Sequence, residues 1–364
     1  MSKPRTLSSQ LSQLNASLRL MTDDVCTTLS LFLVRQQKMA AAGRVDDAPR
    51  QAQETFELRD QTVDEEHEVP PATRLRNRRL ALANAVSFVL VLAVNGLAGS
   101  GKLTGTSIGQ VSKLFPTYIT PEGFAFSIWG LIYTCMSVLV VYQLTPQGAR
   151  SSRFFAQQPQ SSAGIGWAFA LSNATNCLWI ALFTEHSVTA VWFSCVAIFA
   201  LLALLLQTYV RARCWEPAAA LDKHTCAPTS GALAASVERL GLDVGLSLYC
   251  GWVTVASILN VACAAGPGGS NLAGEDPGTN ATWAVVMLSA ALLINAAVVA
   301  RRHDPVFPLV LAWAANAIRA KHHHDSVDQA AGVIALCAIA LAACAVRLRA
   351  RSNAAGADAY AESQ

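Results

Sequence analysis

Eight apolar stretches alternate with polar connections along the chain, at 80–98, 124–144, 164–184, 187–210, 244–266, 281–300, 305–318 and 329–346. None of them contains Asp, Glu, Lys or Arg. Crossing a hydrocarbon core of ~30 Å takes ~20 helical residues at about 1.5 Å each, and most of the stretches reach that length. The exception, 305–318, is short and carries Pro305 and Pro308, so it reads as a tilted span or a re-entrant segment. Inserted segments must satisfy their backbone internally, and the short alternating segments of a barrel are absent. The pattern therefore predicts an all-α, polytopic helix bundle in a lipid bilayer.

Composition agrees, since 53% of the residues are hydrophobic and 14% are charged. The charges gather in the connections. Arginines and lysines beside spans are retained preferentially on the cytoplasmic side. With the N-terminus inside, that side holds fifteen of them: Arg74, Arg76, Arg78 and Arg79, Arg150 and Arg153, the group from Arg211 to Arg239, Arg301 and Arg302, and Arg347 to Arg351. The other side holds four, Lys102, Lys113, Arg319 and Lys321. This asymmetry favours eight crossings with both termini inside. The net charge of +3 is spread over juxtamembrane arginines, with no basic patch interleaved with aromatics, so no nucleic-acid partner is expected.

Outside the spans, residues 1–79 read as a disordered polar tail and 347–364 as a second one. Leu7, Leu11, Leu14, Leu18 and Met21 fall at helical spacing near Lys3, Arg5 and Arg19. That start is compatible with a targeting segment for a mitochondrial, plastid or other organellar membrane. The connections at 211–243 and 267–280 are turn-rich and read as solvent-exposed. Asn280 opens a glycosylation sequon too close to the following span to be a favourable acceptor.

Several chemistries are excluded by their residues. Gly96 to Lys102 imitates a phosphate-binding loop, but Leu103 replaces the magnesium-holding hydroxyl and an apolar helix replaces the preceding strand. Seven of the ten cysteines lie within spans as small hydrophobes, and no CxxC occurs. His322, His323 and His324 point in different directions on a helix end, which leaves no metal site and no covalent cofactor in view. The spans hold no Ser/His/Asp set and no paired carboxylates.

Three spans carry a different signal. In TPEGFAFSIWGLIY, Phe126, Trp129 and Tyr133 are three and four residues apart, which stacks them on one helical face. Asn173 and Asn176 lie a turn apart in the third span, followed by Trp179. Amides in hydrocarbon are costly unless paired, so these meet either another helix or a ligand. In the fifth span, Tyr249, Trp252, Ala256 and Asn260 form one stripe, with Ala256 leaving a gap between larger groups.

Together the strings TPEGFAFSIWGLIY, NATNCLWIALF and GWVTVASILN resemble the second, third and fifth helices of the TspO/MBR family, the tryptophan-rich sensory proteins that include the translocator protein. The resemblance covers about 80–265. It implies a five-helix bundle over 80–266, often homodimeric, with three additional transmembrane helices over 281–346. It also implies a pocket for hydrophobic small molecules: tetrapyrroles such as porphyrin or haem ahead of sterols, and synthetic aromatic ligands. Trp129 and Trp252 match the pocket tryptophans, Asn173 and Asn176 the asparagine pair, and Ala256 the small residue. Phe115 and Tyr118 are similar in position to lid aromatics. The C-terminal sterol motif of the family has no counterpart after the fifth span, although Leu206, Tyr209 and Arg211 fit a loose cholesterol pattern. The family is usually drawn with the lid on the cytosolic side, opposite to the arginine count.

These readings converge on an integral membrane sensor or carrier for flat hydrophobic molecules. Two alternatives stand beside it. One is a small-molecule transporter or channel, which the absence of ionisable residues at mid-depth disfavours; the other is photo-oxidative porphyrin degradation, with Trp129 or Trp252 as the reactive side chain.

Overall fold

The computed structural model describes residues 71–155, 164–215, 232–266, 269, 277–321 and 325–362. The amphipathic N-terminal start and the triple histidine lie outside the described residues. Every described element is helical: α1 (Pro71–Gly99), α2 (Ile108–Leu114), α3 (Ile128–Gln143), α4 (Pro146–Arg150), α5 (Gly166–Glu185), α6 (Val188–Arg211), α7 (Ala232–Glu238), α8 (Gly245–Ala265), α9 (Pro277–Arg302), α10 (Val306–Lys321) and α11 (Asp325–Glu362). A 3-10 turn, Gly123–Ser127, leads into α3, and a π-helical turn, Arg239–Val244, leads into α8. The all-α bundle is as the apolar rhythm predicts.

Six of these segments are long and apolar enough to cross a membrane. α5 has the length, but its two asparagines and its hydroxyls dilute its apolar character. α10 has the composition but only 16 residues, about 24 Å of helix. Outward faces are strongly apolar, with Leu293 72% exposed and Val86, Val196 and Leu336 close behind. Such a surface would aggregate in water and is suited to lipid. The protein is an integral membrane protein in contact with the bilayer.

Two segments differ from the expected tails. Residues 71–79 form the first turns of α1, and 347–362 continue α11 beyond its apolar stretch. The first is rich in Arg and the second in Ala and Arg, good helix formers that extend a helix already nucleated in the bilayer.

α8 is the axis of the bundle, packed by α3, α6 and α10. Glycines permit two of these approaches. A Cβ on Gly245 would meet Met136 and Cys135 of α3, and one on Gly251 would come within 3.1 Å of Val310 of α10. Small residues at such crossings let helix backbones approach in lipid, where dispersion does most of the packing. α10 in turn packs against α9 and α11, and the three C-terminal helices join the rest chiefly through it.

At the α8 N-terminus a polar knot closes the bundle. Asp304 is fully buried: Oδ1 accepts from the backbone N–H groups of Val306 and Phe307 (2.8 and 3.1 Å), capping α10, while Oδ2 accepts from Tyr209 (2.9 Å) and Ser247 (2.7 Å). Burial pushes its carboxyl above the ordinary range, against the lowering pull of those donors. Beside it, Asp243 is ion-paired with Arg153 and accepts from the Trp215 backbone N–H at 3.2 Å. Arg153 also donates to the Ala212 carbonyl at 3.0 Å, and Arg349 of α11 lies 4.9 Å over the Trp215 ring. Tyr209, the centre of the loose cholesterol pattern, is thus buried and bonded inward, away from lipid.

Candidate functional site

At the opposite end of α8 the side chains leave a space. The stripes seen in the sequence converge there: Phe126 and Trp129 from the α3 side, Trp179 and Phe183 from α5, and Trp252, Ala256, Leu259, Asn260 and Cys263 from α8 line one cavity. The chain between α2 and α3 covers it, with Thr117, Thr120 and Pro121 on the wall and Ile108 and Ser112 of α2 beside them. The volume is about 40 Å³. That is room for a few waters, well below the ~300–1,000 Å³ of small-molecule sites.

Aromatic contacts explain the narrowness. The Trp129 ring is stacked on Tyr133 (5.3 Å, 25°) and stands edge-on to Trp252 (6.4 Å, 86°). Tyr249 is 5.8 Å and Trp179 6.3 Å from Trp129. Phe126 meets Trp252 at 5.9 Å, again edge to face. These arrangements follow the ring quadrupole, each worth ~0.5–1.5 kcal/mol beyond area. The rings form a continuous box with a residual gap beside Ala256.

The asparagine pair is placed elsewhere. Asn176, 0% exposed, donates to the Tyr249 hydroxyl at 3.0 Å and accepts from Asn95 at 2.8 Å. Asn173 donates to Ser87 at 3.0 Å. Neither lines the cavity; both knit α5 to α1, and Asn176 also to α8. Tyr133 stands behind Trp129, Phe115 is buried at the start of the covering segment, and Tyr118 is half-buried; none of the three is on the cavity wall. Of the nine residues the sequence assigned to a pocket, Phe126, Trp129, Trp252 and Ala256 therefore meet at the space, and the other five do not line it.

The wall amide is Asn260. Its Oδ1 accepts from the Trp179 indole at 2.8 Å, and its Nδ2 donates to Ser194 at 2.9 Å, so it orients one ring of the box and ties α8 to α6. Trp252 is different. Its indole N–H, on a side chain 1% exposed, has no acceptor among the described residues. An unpaired buried donor costs ~1–3 kcal/mol. Phe183, Leu259, Cys263 and the threonines of the covering segment escaped the sequence reading. Phe183 and Cys263 each continue a stripe by one further turn, whereas the threonines lie in irregular chain, where periodicity is silent.

The covering segment is ordered from within. Ser107 and Gln110 form a capping box at the start of α2, and the Thr117 and Thr120 hydroxyls are 2.8 Å apart. The Cys263 thiol reaches the Phe115 carbonyl at 3.7 Å. No group of three or more His, Cys, Asp or Glu suited to a metal occurs among the described residues. The arrangement offers apolar rings, one free N–H and a cover.

A family model described as TSPO-like protein matches residues 81–348. The match runs through the C-terminal helices, past the 80–265 block that carries the three strings. No curated protein and no solved structure matches the chain.

Proposed function

Since the chain belongs to the TSPO-like family, we propose that it is a membrane receptor or carrier for a flat, largely apolar ligand, a tetrapyrrole ahead of a sterol. The observation that carries this reading is the pairing of a gap beside Ala256 with the unpaired N–H of Trp252. A ligand entering there exchanges edge-to-face ring contacts for offset stacking on Trp129 and Trp252. It also offers the indole an acceptor, such as a carboxylate or carbonyl oxygen. The polar contact is thus assigned to Trp252, because neither Asn173 nor Asn176 lines the cavity.

A cavity of about 40 Å³ cannot take such a ring system without parting its walls. The covering segment from Phe115 to Ser127 is the part with fewest helical constraints. Binding therefore favours a conformation in which that segment has shifted, and a ligand with different affinities for the two states reports its presence through the shift. Sensing and carriage are both served by this coupling.

The test is a fluorescence titration of the detergent-solubilised protein with protoporphyrin IX. Trp252→Phe keeps the ring and removes the N–H, and should weaken binding about tenfold, equivalent to ~1.4 kcal/mol. Ala256→Leu should fill the gap and abolish saturable binding. Saturable binding with equal affinity in all three proteins would place the ligand elsewhere.

A further inference from the structure

We propose that α10 latches the rim of the cavity, making Trp313 a positioning residue that governs how readily the site opens; the ligand arm of the test rests on the function proposed above. The segment from Phe115 to Ser127 contributes Thr117, Thr120, Pro121 and Phe126 to the wall. Toward its second half, two hydrogen bonds hold it from outside the cavity, and both come from α10. The Glu122 N–H donates to the Ala317 carbonyl at 2.9 Å, and the Trp313 indole donates to the Ala125 carbonyl at 3.1 Å. The Phe124 ring stands edge-on to Trp313 at 5.2 Å and 83°.

α10 is suited to this task because it is itself fixed. Asp304 caps its N-terminus and ties it to α6 and α8, and Val310 packs on Gly251 of α8. It contributes no side chain to the cavity. Its effect is confined to the rim, so it sets access without touching the ligand. α10, which the five-helix block did not account for, thereby acquires a function in the same site. Trp313 is 39% exposed, so its substitution does not empty the core.

Cys263 supplies a reporter that needs no ligand, since it lines the cavity beneath the covering segment. Cys214, fully buried at the far end of α8, is the internal control. The full chain in detergent is treated with N-ethylmaleimide and the modified peptides are quantified by mass spectrometry. Trp313→Ala should speed modification of Cys263 about tenfold while leaving Cys214 unchanged. Trp313→Phe, which keeps the ring contact and loses the hydrogen bond, should fall between Trp313→Ala and wild type. An unchanged Cys263 rate in Trp313→Ala overturns the latch. Equal acceleration at both cysteines also overturns it, because the residue is then only general packing. In the ligand arm, stopped-flow mixing with protoporphyrin IX should give faster association and faster dissociation in Trp313→Ala, with their ratio changed less than threefold; loss of affinity without faster association counts against the latch. Absence of porphyrin binding to wild type would defeat the proposed function, and Cys263 would still decide the latch.

Discussion

The two ends of α8 have been built on opposite terms. At its N-terminus, both oxygens of Asp304 and both of Asp243 accept hydrogen bonds. At its C-terminal half, aromatic rings enclose a gap and the Trp252 N–H is left without an acceptor. Buried polar groups are high-stakes in a low dielectric: satisfied, they fix one arrangement, and unsatisfied, they favour whatever supplies the partner. The first end specifies the fold. The second end keeps a buried donor without a partner, and the proposed ligand binding rests on that donor.

That contrast can be broken most sharply at Asp304. Replacing it with Ala strands the Tyr209 hydroxyl and two backbone N–H groups at the start of α10, while Ser247 keeps the Asp243 carbonyl at 2.6 Å. A loss of about 3 kcal/mol or more is expected, since each buried donor left unpaired costs ~1–3 kcal/mol. Thermal unfolding in detergent should show it as a lowered midpoint. A midpoint equal to wild type would mean the knot is not what fixes that end.

Asn176→Ala gives a smaller effect and asks whether the third-span amides belong to the scaffold or to the site. It removes the partners of Tyr249 and Asn95 and should cost about 1–2 kcal/mol of stability, while porphyrin affinity changes less than threefold. A large loss of affinity with unaltered stability would return the amide to the ligand. The smallest effect concerns pH. Because burial raises the Asp304 carboxyl, it holds a proton more readily in the folded protein than in the unfolded chain. Its contribution to stability is greatest below the ordinary carboxylate value of ~3.9 and declines as pH rises through the raised one. Asp304→Asn, which keeps an acceptor for the α10 cap, should flatten that decline in unfolding midpoints measured from pH 4 to pH 7.

The solvent, the helices and the aromatic faces that converge on the cavity were legible in the sequence, because charge-free stretches and three-four spacing are direct imprints of bilayer thickness and helical pitch. The sequence also showed that Phe126, Trp129, Trp252 and Ala256 share faces. What it left open was which neighbour each face meets. Asn173 and Asn176 have the same spacing whether they face a ligand or α1, and only the packing of α5 between α1 and α8 decides. Asp243 lies at the end of a connection that reads as solvent-exposed and Asp304 in the short link before the seventh stretch, so their burial leaves no periodic trace. The role of α10 was hidden for a related reason. Its length suggested an incomplete span, and its contacts with residues 122–125 join parts of the chain nearly two hundred positions apart.

One of those contacts has a further consequence. The bond from Glu122 to Ala317 joins two main chains, so no exchange of side-chain chemistry at either position can delete it, short of a proline at 122 that removes the donor. The indole of Trp313 is, by contrast, freely replaceable. Sequence drift can therefore retune the stiffness of this closure one increment at a time while its hinge line stays where it is.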